Sequence, residues 1–181
     1  QMPSIRNPGT TIFQEAKQAR VPLWFILGSQ SNIPAFNNLQ HVLSIRGDGK
    51  NVNDVQGILT PDFQVFTLSD ELKRRLPQFP PILAPFGDYN ADVQSRSILQ
   101  QRIGSVNTSY PLWTFGEQDQ IKIGILAGEG IWRWRMFDFL QHTKLRKRVS
   151  PHWDRFLPAW PEMARLVRSG DSRRPRKNRS Q

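Results

Sequence analysis

The sequence predicts an α/β fold: a mostly parallel sheet with an antiparallel extension. Three observations carry that expectation. A helix-patterned segment at 10–19 leads through Pro22 into a continuous apolar run, LWFIL at 23–27. Three strand-like segments at 97–106, 110–115 and 120–127 follow one another across short turns. The last of them passes through Gly128-Glu129-Gly130 into a helix candidate at 131–141.

The segment at 10–19 repeats Ile12, Phe13, Ala16 and Ala19 at helical spacing after a Pro-Gly turn, with Thr10 or Thr11 as N-cap. Pro22 ends the helical region. LWFIL is continuous rather than alternating, the pattern of a strand covered on both faces. The polar turn SQSN precedes a short helix expected at 35–41, and 44–54, with Gly47 and Gly49, reads as a loop or hairpin. Two apolar pieces follow on either side of Pro61-Asp62. A short helix starts at Ser69-Asp70-Glu71, its acids at the positive helix end, and stops near Leu76. FPPILAPF at 79–86 cannot be helical, because its prolines lack donors and fix φ. The three strands are expected to turn at SVNTS and GEQDQ, giving an antiparallel extension. In the closing helix Trp132, Met136, Phe139 and Leu140 share a face, read as core, and Arg135 and Asp138 are spaced for an i,i+3 pair.

At 181 residues, with 38% hydrophobic content and six tryptophans, the chain can build one packed core. It has no apolar run of transmembrane length and no signal-peptide apolar region in QMPSIRNPGTT. Without cysteine it has no disulfides, thiolate metal sites or cysteine nucleophile. The net charge of +10 is uneven: residues 1–142 carry +1 and residues 143–181 carry +9. The basic character therefore belongs to the tail. The expected organisation is an α/β domain at 1–142, an irregular or helical extension at 143–167, where Pro158 and Pro161 interrupt helical spacing, and a disordered basic tail at 168–181.

Helix, Val-Pro, apolar strand and Gly28-Ser29-Gln30 together resemble the nucleophile strand of class I glutamine amidotransferases, which ends in Cys-Leu-Gly-His-Gln. Matching Gly28-Ser29-Gln30 to Gly-His-Gln puts Ile26 where the nucleophile stands, and the family's His-x-Glu pair is missing after His41, His142 and His152. A second stretch, PLWTFGEQDQIKIGILAGEGIWRWRM, resembles amidotransferase-like domains of large Bacteroidetes-type envelope proteins that often also carry von Willebrand factor A domains and membrane helices. FPPILAPFGDY and LQQRIGSVNTSYPLW resemble the stretch preceding it, so the likeness covers residues 2–142. It implies a flavodoxin-like three-layer sandwich, truncated here at its N-terminus, with an unpaired sheet edge. It also implies a non-catalytic binding or scaffolding module on the periplasmic side of the bacterial envelope. Its partners would be other domains of the same membrane-anchored protein.

Ser29, Gln30, Gly128, Glu129, Gly130 and Arg133 are the ligand-binding candidates, since a strand-to-helix junction offers free N–H groups. The junction lacks the phosphate-binding glycine patterns, and Glu129 would repel an anionic ligand and could itself occupy the positive helix end. A serine hydrolase at Ser29 is the weaker alternative, because Leu27-Gly28-Ser29-Gln30-Ser31 is not G-x-S-x-G. His41 with Asp48, and Asp88 with Asp92 around Tyr89, have no metal-ligand spacing, so neither metal nor cofactor is expected. The remaining alternative is nucleic-acid binding through Arg173, Arg174, Arg176, Lys177 and Arg179, a run without interleaved aromatics for base stacking.

Overall fold

A computed structural model describes residues 10–47, 50–61, 63 and 68–146, with the side chains of 10 and 142–146 left aside. The chain folds as α1 (Thr10–Gln18), β1 (Leu23–Ile26), α2 (Ile33–Leu39), β2 (Leu43–Arg46) and β3 (Val52–Leu59). After these come α3 (Asp70–Arg75), a 3-10 turn (Leu76–Gln78), β4 (Ile82–Pro85), β5 (Asp88–Ala91), β6 (Arg96–Ile103), β7 (Val106–Gln118), β8 (Ile121–Leu126) and α4 (Trp132–Arg146). This is a sheet-dominated α/β fold. The large sheet has the order β1-β8-β7-β6-β3-β4, and β2 and β5 form a second, two-stranded sheet.

The expected mostly parallel sheet is corrected. Among the described residues of the large sheet, β1–β8 is parallel and the other four pairings are antiparallel. The cause lies in the connections. β6 and β7 are joined by Gly104-Ser105, with Gly104 at φ +58°, and β7 and β8 by Asp119-Gln120, both at positive φ. Two-residue loops of this kind turn a strand back on itself, whereas a parallel return needs a crossover of a dozen residues or more. The same tight turns absorb residues expected to be loop, so SVNTS lies largely within β7.

The other local expectations fare unevenly. The helix at 10–19, the apolar strand after Pro22 and the Ser69-led helix all form; Ser69 Oγ accepts from Leu72 N–H as the cap. The second helix starts two residues early, because Asn32 Oδ1 accepts from Ala35 N–H and Pro34 is tolerated in a first turn. The segment read as a loop or hairpin at 44–54 instead sends β2 and β3 into different sheets. β2 is held by two side-chain amides. Asn37 both donates to Ile45 O and accepts from its N–H, and buried Gln40 does the same for Leu43.

Two cores lie on opposite faces of the large sheet. Phe13, Phe25, Leu27, Phe36, Leu43, Ile45, Ile123 and Ile125 pack beneath α1, α2 and the small sheet. Val55, Leu76, Phe79, Leu99, Leu112, Trp113, Leu126 and Trp134 pack on the other face. In α4 the expected core face is wrong. Trp132, Met136, Phe139 and Leu140 are 64, 49, 50 and 53% exposed, while Trp134 is buried with Phe137 packed beside it. Trp134 stacks on Phe79 at 5.3 Å and its Nε1–H donates to Pro80 O at 2.7 Å. Asp138 pairs with Arg75 at 2.5 Å. Helix α4 is thus apolar on two faces, and the sheet takes the one carrying Trp134. The segments at 147–167 and 168–181, expected to be irregular and disordered, lie outside the described residues.

Candidate functional site

β1 and β8 run parallel, in register from Leu23↔Ile123 to Ile26↔Leu126, so their C-terminal ends open onto the same edge. Leu27 N–H extends the ladder to Leu126 O, and the chain then bends: Gly28 N–H donates to Ser31 Oγ and Ser31 N–H returns to Gly28 O. On the neighbouring strand, Ala127 N–H donates to Leu112 O before the chain leaves through Gly128-Glu129-Gly130. Gly130, at φ +98°, takes a conformation that side chains resist, and Arg133 N–H donates back to its carbonyl as α4 begins.

These two bends meet. Glu129 Oε1 accepts from Ser29 N–H at 3.2 Å and from Ser29 Oγ–H at 2.8 Å. Its backbone exchanges two further bonds with Leu83 on the opposite sheet edge, N–H to Leu83 O at 2.8 Å and Leu83 N–H to its own O at 3.0 Å. One residue therefore ties together β1, β8 and β4. Of the sequence-predicted candidates, Ser29, Gly128, Glu129 and Gly130 come together. Arg133 lies beside them, its Cδ and Nε 3.6 Å from where a Cβ on Gly130 would stand and its guanidinium 5.8 Å over Trp132, while Gln30 sits exposed on the turn beyond.

Ser29 Oγ–H donates directly to the Glu129 carboxylate. In the Ser-His-Asp arrangement the serine hands its proton to an imidazole, which an acid orients from behind, and that arrangement is not assembled among the described residues. The Glu129 carboxylate turns to the Ser29 bend.

A second feature, a cleft of about 200 Å³, lies between the small sheet and the large one, with Arg46, Asn53, Asp88, Tyr89, Gln101 and Tyr110 in its wall. Tyr110 Oη–H donates to Asp88 Oδ1 at 2.7 Å, and this contact with a carboxylate raises the Tyr110 pKa. Tyr89 Oη–H donates to Pro85 O, and burial pushes its phenol well above the ordinary 10.0, with Gln101 pulling weakly the other way. Sequence reasoning weighed Asp88 only for metal-ligand spacing and missed this cleft. β5 is short, and its partners Arg46 and Tyr110 are distant in the chain, so no local spacing marked them.

The remaining candidates are dispersed. His41 N–H donates to Gln118 Oε1, Asp92 Oδ2 accepts from Gln94 N–H, and Asp48 is outside the described residues. Among the described residues no group of three or more His, Asp or Glu could hold a metal ion, and no helix is long and apolar enough to cross a membrane. Arg173, Arg174, Arg176, Lys177 and Arg179 lie outside the described residues. No family model and no curated protein matches the chain. Among solved structures it is similar to the mmIFT52 N-terminal domain, at 11% identity, covering 78% of this chain and 72% of that one, with a TM-score of 0.35.

Proposed function

We propose that the chain is a non-catalytic, amidotransferase-like binding or scaffolding module of a bacterial cell-envelope protein, acting on the periplasmic side with other domains of the same membrane-anchored protein. In this reading the parallel β1–β8 pair, with α1 and α2 on one face and α4 on the other, is the flavodoxin-like part of the domain. α/β proteins bind ligands outside the C-terminal ends of parallel strands, and here that edge carries the Ser29 and Gly128–Gly130 bends. The observation that supports the proposal concerns Ile26, which the resemblance aligns with the amidotransferase cysteine: it is in register with Leu126 and packed against the second core. An isoleucine side chain has no nucleophile, and the adjacent hydroxyl of Ser29 is already held by Glu129.

The test is a glutaminase assay on the purified chain, following release of glutamate and ammonia. No turnover above the uncatalysed background is expected. Saturable turnover that disappears in Ser29→Ala or Glu129→Gln would overturn the proposal and assign a hydrolytic site to these bends.

A further inference from the structure

Helix α4 presents an outward stripe of Trp132, Met136 and Leu140, each about half exposed or more, spaced at i, i+4 and i+8. Its opposite face is already seated on the sheet through Trp134 and Phe137. A helix apolar on both faces is a pattern of buried helices, and an exposed stripe of this size calls for an occupant. We infer that the occupant is the chain's own segment 153–167, folded back along α4.

Four features favour this segment. It is near: α4 ends at Arg146, and residues 147–152, which include Pro151, are as many as helix connections commonly use to reverse direction. It is apolar where needed, since Trp153, Phe156, Leu157, Trp160, Met163 and Val167 fall within it and no apolar residue follows Val167. Its reach suffices: 15 residues, broken at Pro158 and Pro161 and so rising at least as much per residue as a helix, can run the whole length of the 15-residue α4. Its charge is balanced where its flanks are basic: Asp154 and Glu162 offset Arg155 and Arg165, whereas 143–152 and 168–181 carry a large excess of Lys and Arg that a basic helix would repel. An antiparallel return brings Asp154 toward the Lys144 and Arg146 end of α4 and Glu162 toward Arg133 and Arg135. Tethering also gives the segment an effective concentration in the millimolar range, well above that of a second copy in dilute solution.

The absence of cysteine makes the test direct. In the full chain, Met136→Cys introduces a unique thiol, and its rate of reaction with a disulfide reagent reports cover on the stripe. Slow labelling is expected, accelerating about tenfold when Phe156→Ser, Trp160→Ser and Met163→Ser are combined, as for release of a locally protected site. Leu140→Cys serves as a second reporter should Met136→Cys disturb folding. Val93→Cys, at a residue 90% exposed, should label equally fast in both backgrounds and sets the unprotected rate. A cooperative urea transition retained in the triple variant shows that its body is still folded. Equal labelling rates at position 136 with and without the triple change overturn the inference. So does protection that grows with protein concentration, which assigns the stripe to a second copy. Protection that needs phosphatidylglycerol vesicles also overturns it and assigns the stripe to a lipid surface.

Discussion

A methyl group on Gly28 would stand 2.0 Å from Glu129 Oε2 and 2.9 Å from its Cβ. The glycine is required there by close approach, because the carboxylate that bonds Ser29 passes directly over it. Gly28→Ala is therefore expected to lower stability by about 1–3 kcal/mol through overpacking, read as a shift in the urea midpoint. Glu129→Ala removes the two closest obstacles, Oε2 and Cδ, along with the hydrogen bonds to Ser29, and leaves only the Cβ contact. The double variant should consequently cost clearly less than the sum of the singles, the signature of direct contact; strict additivity would show that the two residues do not meet. Sequence reasoning found Ser29, Glu129 and the flanking glycines as separate candidates because each sits at a bend. That they touch was not legible, since 100 residues separate Ser29 from Glu129. Arg133 was legible in the same way and lies against Gly130, whereas Gln30 is exposed on the turn beyond.

At the level of elements, local signals succeeded where one segment's chemistry decided the outcome. The Ser69 cap, the prolines at 79–86 and the apolar run after Pro22 are cases of that kind. They failed where two solutions share one pattern. Helix α4 has an apolar stripe on each side, and spacing alone cannot say which one meets the sheet. The Trp134 side wins because the indole has a matched place: Phe79 stacks on it, Pro80 accepts its N–H, and Gly57 leaves room for its ring edge, 3.4 Å from where a Cβ would stand. Trp134→Ala should thus cost about 3–5 kcal/mol in denaturant unfolding, while the exposed Arg135→Ala should stay within about 0.5 kcal/mol. Similar costs for the two would mean that the wrong face had been assigned to the core. Strand direction was the other failure. Apolar continuity in 23–27 correctly marked a strand with a parallel partner, and the turn residues that make most of the sheet antiparallel lay in stretches read as longer loops.

For the whole molecule, the joint between the small and large sheets sets an alkaline limit. Tyr89 on β5 packs against Tyr110 on β7, ring centroids 5.4 Å apart, and its phenol is pushed above its ordinary 10.0 by burial. A raised folded-state pKa favours the neutral form in the native state. Its stabilisation is full below pH 10 and is lost as pH rises beyond that, because the unfolded chain ionises first. Stability should fall above about pH 10 in the native chain, and less steeply in Tyr89→Phe, when urea midpoints are compared at about pH 8 and pH 10.5; parallel slopes would place the titrating group elsewhere. The parallel β1–β8 pair bears on the order of assembly. Its strands leave the ribosome about 100 residues apart, whereas β6, β7 and β8 are successive hairpins. Local pairings close cheaply and distant ones late. The middle of the sheet can form while β1 still waits for a partner. A nascent chain stopped anywhere before Ile121 can hold most of its strands yet cannot join Ser29 to Glu129, so that edge is the last of the large sheet to close.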